Sequence, residues 1–237
     1  MAAELHVAIG STLPFPVAGD GGAVLTADER ERAARFCFKQ DAARWVAARS
    51  FVRRTLGKVL AMRPEDVVFD VSRAGKPKLA GVHRGLGCNW SHAGDWVALA
   101  WVNGVEVGID LEVIRPDFPV VEVADRFFTA GECAALGRVA GKARQVLFFQ
   151  LWTAKEALMK AVGLGLGLPP EEIDCVIADG GPCAYRSHPD WRLHRHSYTE
   201  AGMEVAVAAP AEVSPAVRWP EIQAGAAPGE RASVLVA

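Results

Sequence analysis

A helix–Pro–strand unit occurs twice along this chain. The first copy is Arg44–Arg53 followed by Pro64–Val71, and the second is Leu151–Lys160 followed by Pro170–Ile177. In each, a Trp precedes a basic residue by eight positions, pairing Trp45 with Arg53 and Trp152 with Lys160. A Pro-Glu-acid turn comes 19 residues after Trp45 and 18 after Trp152, and a β-branched run follows. Arg35-Phe36 and Arg126-Phe127 precede the two copies, and Trp96–Trp101 and Met203–Ala208 follow them as similar strands. Helix–Pro–strand is also common local grammar, so the match admits chance. A true duplication requires two similar α+β halves, and the cleft between them is then the natural ligand site.

The 237 residues supply one large domain or two small ones. Apolar residues at 51% and charged residues at 23% exclude wholesale disorder. With 26 basic and 28 acidic residues, the formal charge of -2 gives no global pull toward nucleic acid or anionic membrane. The first residues lack a secretory signal pattern, and no apolar run is long enough to span a bilayer. The odd count of five scattered cysteines points to free thiols in a reducing cytoplasm.

Periodicity predicts helices over 27–38, 41–57, 130–140 and 143–162. Asp41 is the expected N-cap of the second, with Gly57 its stop, and Thr129 with Glu132 has the spacing of a capping box. Strands are predicted over 66–72, 95–102, 104–113, 173–178 and 202–208. Beyond 208 the chain turns Ala/Pro-rich and reads as a loosely attached tail pinned by Trp219. The fold class is α+β, two pseudo-symmetric halves each with a small, mostly antiparallel sheet and a long helix. The expected boundaries are 1–103 for the first half, 104–208 for the second and 209–237 for the tail.

Val105–Val113 alternates strictly, with apolar odd positions and Glu106, Gly108, Asp110 and Glu112 at even ones. One strand face therefore carries three acids. An ordinary solvated face has this pattern too; so does a hard-oxygen pair suited to Mg²⁺. Zinc is disfavoured, because no Cys/His cluster has ligand spacing, and His194-Arg195-His196 reads better as a surface strand. On the long helix, Trp152, Glu156 and Lys160 stand one turn apart. They are either a solvated pair or a cleft wall. Gly75-Lys76-Pro77 mounts a cation stiffly, and Ser91-His92 offers short donors in what reads as a turn before a strand. The chain has no Gly-x-Ser-x-Gly elbow and no Walker loop, and Gly163–Gly167 follows a helix rather than a strand.

Together these segments resemble the 4'-phosphopantetheinyl transferase family. Val107–Glu112 and Trp152–Lys160 are similar to its two signature motifs, with 42 residues from Asp110 to Trp152. Gly75–Pro77, Asn89–His92 and Arg126–Glu132 resemble its remaining motifs in order. The length and duplicated halves resemble the larger pseudo-dimeric type that activates peptide and polyketide synthase carriers, as opposed to the short trimeric type. The resemblance implies transfer of the phosphopantetheine arm of coenzyme A to a serine of an acyl, peptidyl or aryl carrier protein, with release of adenosine 3',5'-bisphosphate.

It implies roles for particular residues as well. Asp110, Glu112 and Glu156 match the Mg²⁺ carboxylates, and the ion also grips the diphosphate. Lys160, Lys76, Ser91 and His92 match positions that contact the phosphates of coenzyme A. Glu156, or a water it orients, is the candidate acceptor of the serine proton, and Lys155 is a candidate for positioning the serine or the phosphates. Arg32 fits one 3'-phosphate position. Glu29 falls where another cation is common, and Arg44 is a candidate replacement. Trp90 is bulkier than the usual aliphatic and is expected in the core of the first half. An acidic helical carrier calls for a basic and apolar surface, with Arg49, Arg53, Arg54, Arg126 and Phe128 as candidates. A monomer is expected, with no nucleic-acid or membrane partner, and the oxygen ligands suit Mn²⁺ as well as Mg²⁺. Two rival readings are a coenzyme A-dependent acyltransferase, which needs no three-carboxylate site, and a non-catalytic carrier-binding module.

Overall fold

The computed structural model describes residues 3–12, 23–164, 167–178, 180–213 and 217–222. The first half runs β1 (Leu5–Ser11), α1 (Ala27–Ala34), α2 (Lys39–Val59), β2 (Phe69–Val71), β3 (Pro77–Leu79), β4 (Leu86–Ala93) and β5 (Trp96–Asn103). The second runs β6 (Gly108–Val113), α3 (Val120–Phe127), α4 (Ala130–Gly137), α5 (Gly141–Val162), β7 (Cys175–Ala178), β8 (Gly181–Tyr185), β9 (Trp191–Tyr198) and β10 (Met203–Pro210). A short β11 (Val217–Arg218) follows. One sheet has the order β11-β1-β5-β4 and the other β6-β10-β9, with hairpins β2-β3 and β7-β8 alongside. All pairings are antiparallel except β1 with β11. The architecture is the α+β arrangement of two similar halves that the repeat predicts.

A pair of matching locks shows how the halves correspond. Helix α1 starts in a capping box, where the Thr26 hydroxyl accepts from Glu29 N–H and the Glu29 carboxylate accepts from Thr26 N–H. Helix α4 starts identically at Thr129 and Glu132. Each capping Glu then meets a buried cation on the following long helix: Arg53 lies 2.7 Å from Glu29, and Lys155 lies 2.7 Å from Glu132. Arg53 also donates to the carbonyls of Pro64 and Val67 at 3.0 and 2.7 Å. Lys155 donates to those of Pro170, at 2.9 Å, and Ile173. Each cation thus ties helix, cap and Pro turn together.

These locks make Arg53 the counterpart of Lys155, an offset of 155 − 53 = 102, whereas matching Trp45 to Trp152 gives 152 − 45 = 107. The helix register of the Trp match is therefore wrong by five residues, and Arg53 does not correspond to Lys160. Arg35-Phe36 and Arg126-Phe127 are not counterparts either, since the capping boxes lie 129 − 26 = 103 apart. The Trp residues are not equivalent because they serve different packing. Trp152 stacks on Phe148 and meets Phe127 edge-on, whereas Trp45 contacts Phe36 at the surface end of α2.

Helix α2 begins at Lys39, after Phe38 and not at Asp41, and passes through Gly57 to Val59. Gly57 is required there because a Cβ would lie 2.9 Å from the Met62 carbonyl. Helix α5 ends as expected, at Gly163 in the left-handed conformation (φ 71°). Its inner face buries Phe148, Phe149, Leu151 and Leu158, each worth about 1.5–3 kcal/mol relative to exposure. Separate apolar clusters fill the space between the two sheets and the space between α2 and the first sheet. The chain beyond 208 is joined to the fold: β11 pairs with β1, Val213 is buried, Trp219 stacks on His196, and Tyr198 Oη donates to the Pro220 carbonyl. His194, expected on a surface strand, is buried in β9, where desolvation pushes its pKa down to about 4.

Candidate active site

Ser91 and His92, read from the sequence as lying in a turn before a strand, belong to strand β4. That difference builds the site, because β4 of the first half crosses β6 of the second at close range. Gly87 has no room for a side chain, since a Cβ would fall 1.9 Å from the Val105 carbonyl. Asn89 Oδ1 accepts from Ile109 N–H at 2.9 Å, and two positions farther Ser91 Oγ donates to Asp110 Oδ1 at 2.8 Å. The odd face of β6 (Ile109, Leu111), with Val107 just before it, lies in the core between the sheets. Its even face packs against α5, where a Cβ on Gly108 would sit 2.1 Å from the Ala157 carbonyl. On the acidic face of this strand Asp110 is therefore buried under the helix, whereas Glu106 and Glu112 stay partly exposed.

Helix α5 brings Glu156 and Lys160 to that face. Lys160 Nζ donates to Asp110 Oδ1 at 2.6 Å and to Ser91 Oγ at 3.0 Å. Asp110 is 4% exposed, and its Oδ2 is buried with no hydrogen-bond partner. Burial and the charge of Asp110 push the Glu112 carboxyl up to about 7, and the same two causes raise Glu156. Asp110, Glu112 and Glu156 thus form a desolvated, mutually repelling group that Lys160 only partly compensates, with Arg115 3.8 Å from Glu112. An orphaned oxygen and carboxyls that resist ionisation together suit a dication. Among the described residues no three His, Cys, Asp or Glu side chains converge to hold an ion unaided.

Of the three acids, Glu156 faces a cleft of about 780 Å³ between the halves, walled with it by Met159 and Lys160 from α5 and by Arg32, Trp45, Phe69, Trp90 and His92 from the first half. His92 is exposed at its edge, and partial desolvation and the Lys160 ammonium lower its pKa. Arg32 lies over the Trp45 ring, 5.4 Å from its centroid. Sequence reasoning missed Arg49 as a cleft residue, placing it only on a partner surface. Arg49 lines the cleft, stands 4.5 Å from the Phe69 centroid and 4.7 Å from that of Trp90, and pairs with Glu29. The available signal was its helical spacing from Arg53, one turn along the face that meets Glu29. Trp90 lies at the cleft wall beside the first-half core, partly exposed.

Several expected residues lie elsewhere. Lys155 is 1% exposed inside the second half, with its ammonium engaged by Glu132 and two carbonyls, so it reaches neither a serine nor a phosphate. Arg44 points to Asp95 at 3.0 Å and does not line the cleft. Lys76 lines the cleft, with its ammonium engaged by Glu106 and two carbonyls. Glu29 is the lock of the first half, which explains an acid where a cation is common. Of the surface candidates, Arg53 and Phe128 are buried, whereas Arg126 is exposed.

Family models match both parts of the chain. A family model described as the 4'-phosphopantetheinyl transferase superfamily matches residues 106–209, and one described as 4'-phosphopantetheinyl transferase, N-terminal, matches 21–103. The chain is 37% identical over 177 residues to the 4'-phosphopantetheinyl transferase HetI of a Nostoc species, covering 73% of this chain and 74% of that one. It is 32% identical over 160 residues to the 4'-phosphopantetheinyl transferase Sfp of Bacillus subtilis, covering 66% and 68%. Among solved structures, a holo-(acyl-carrier-protein) synthase from Bacillus anthracis in complex with CoA (3',5'-ADP) aligns with 44% of this chain and 93% of that chain, at 23% identity and a TM-score of 0.38.

Proposed function

Because the chain belongs to the 4'-phosphopantetheinyl transferase superfamily, we propose that its inter-half cleft is where the phosphopantetheine arm of coenzyme A passes to a serine of a carrier protein. The observation that carries this reading is the unpartnered, buried Oδ2 of Asp110, whose other oxygen is held by Lys160, a residue that lines the cleft together with Glu156. Asp110, Glu112 and Glu156 would hold Mg²⁺, which when bound neutralises charge on the diphosphate oxygens during phosphoryl transfer.

The chain's own groups supply the rest. Lys160, fixed by Asp110 and Ser91, and His92 beside it present donors to the diphosphate. Arg32 and Arg49 at the first-half end of the cleft would receive the 3'-phosphate, and the Trp45, Phe69 and Trp90 rings offer flat apolar surface to the base. The serine oxygen bonds to the phosphorus that carries pantetheine, the diphosphate P–O bond breaks, and adenosine 3',5'-bisphosphate leaves with the electron pair. Glu156, or a water it orients, is the acceptor assigned to the serine proton.

We place the division of labour at 1–103 for coenzyme A and 104–208 for the metal strand and helix, with 209–237 a C-terminal segment joined to the fold through β11 and Trp219. We read the protein as a cytoplasmic monomer acting on acyl, peptidyl or aryl carriers; no helix among the described residues is long and apolar enough to cross a membrane. The test is chromatography of the nucleotide products after incubation with coenzyme A, apo-carrier and Mg²⁺. Adenosine 3',5'-bisphosphate should appear in step with holo-carrier and vanish with EDTA. Free coenzyme A released from an acyl donor instead would point to the acyltransferase.

A further inference from the structure

The Gly75-Lys76-Pro77 turn belongs to the first half, yet its cation ends inside the second. Lys76 Nζ has three protons to donate and three acceptors: Glu106 Oε2 at 2.7 Å, the Val107 carbonyl at 3.0 Å and the Ala161 carbonyl at 3.0 Å. Ala161 lies in the last turn of α5, whose carbonyls lack intrahelical partners and attract cations. Val107 immediately precedes β6. One ammonium therefore joins the strand carrying Asp110 and Glu112 to the helix carrying Glu156 and Lys160.

The surroundings hold this ammonium in place. The Lys76 side chain is 6% exposed. Its stem packs on the helix cap, where a Cβ on Gly163 would lie 3.1 Å from Lys76 Cδ. The turn is tied by Lys76 N–H to Ser72 Oγ at 3.0 Å and by Ser72 N–H to the Lys76 carbonyl at 2.9 Å, with Gly75 at φ 86°. Glu106 is gripped on its other oxygen by Lys78. Burial lowers the pKa of Lys76 while Glu106 supports its charge.

We infer that Lys76 is a positioning residue: with Glu106 as its anchor, it clasps the end of α5 to the start of β6 and so sets the spacing between the acids of the strand and Glu156 and Lys160 of the helix. The inference rests on the transferase reading of the cleft. A clasp and a phosphate ligand predict different kinetics, and Glu106, which does not line the cleft, separates them.

The experiment is steady-state transfer to an apo-carrier by the full chain, comparing wild type with Lys76→Met, Glu106→Gln and the double variant. Amide hydrogen exchange is measured over 107–112 and 157–163 in the same proteins. The clasp predicts that Lys76→Met lowers kcat about tenfold with KM for coenzyme A within about threefold. Glu106→Gln lowers kcat in the same manner to a smaller extent, and the double variant is no worse than Lys76→Met, as expected of groups acting as a unit. Exchange over both segments rises together. The inference is overturned if Lys76→Met raises KM with kcat intact, or if Glu106→Gln is indistinguishable from wild type. Should Lys76→Met fail to fold, Glu106→Gln alone decides. Should wild type transfer nothing, the transferase reading falls, and unchanged exchange in Glu106→Gln would separately overturn the clasp.

Discussion

Replacing Lys155 with Met keeps most of the side-chain volume and removes only the charge and three donated bonds. In the folded chain Lys155 and Glu132 are each 1% exposed and 2.7 Å apart. Without the ammonium, the Glu132 carboxylate keeps only the N–H groups of Thr129 and Cys175, and the carbonyls of Pro170 and Ile173 lose a donor. Stranding one member of a buried pair costs about 3–5 kcal/mol. At about 2–4 °C per kcal/mol for a chain of this length, the melting temperature should fall by about 6–20 °C. Denaturant unfolding followed by tryptophan fluorescence should show a lower midpoint with an unchanged slope. Trp152 is a suitable reporter, since it packs against Phe128, the ring beside the Lys155 ammonium. At low temperature the folded variant should still transfer, because Lys155 does not line the cleft. Removing the second charge in Glu132→Gln/Lys155→Met should restore part of the loss. A variant with wild-type stability and no transfer would refute this reasoning and return Lys155 to the chemistry.

Asp110→Asn should keep the fold and lose Mg²⁺ affinity, read by calorimetric titration, together with nearly all transfer; unchanged Mg²⁺ binding would remove Asp110 from the ligand set. Glu112, with a pKa raised from 4.5 to about 7, binds more protons folded than unfolded in that interval. The metal-free protein should therefore lose stability as pH rises from about 4.5 to about 7, with Mg²⁺ reversing the loss; melting temperatures against pH, with and without the ion, check the sign. Arg49→Ala should raise KM for coenzyme A much more than KM for its 3'-dephospho form, and an equal rise for both would remove the 3'-phosphate assignment. Gly108→Ala should force α5 from β6, costing about 1–3 kcal/mol of stability and lowering transfer with it, measured by melting and by holo-carrier yield.

Much of this was legible because it depends on local pattern. Strict alternation located β6, and the Thr129–Glu132 spacing located the start of α4. What escaped depends on distant partners. Lys155 and Lys160 stand in one helical motif, yet one is swallowed by a lock to Glu132 and the other faces the cleft. Nothing within the helix distinguishes them. Asn89, Ser91 and their neighbours carry turn-forming side chains, and they form a strand because β5 pairs with their backbone while β6 engages the Asn89 and Ser91 side chains. The Trp match misled the repeat register because the duplicated halves preserve a buried ion pair, not an aromatic.

The central claim is that this cleft moves phosphopantetheine from coenzyme A to a carrier serine with help from Asp110. Its most direct test is intact mass of several apo-carriers, peptidyl, polyketide and fatty-acid, after incubation with coenzyme A, Mg²⁺ and either wild type or Asp110→Ala. A gain of one phosphopantetheinyl group on at least one carrier, absent with EDTA and with Asp110→Ala, is the predicted result. No gain on any carrier with wild type, despite carrier binding, would contradict the claim and leave a binding module in its place.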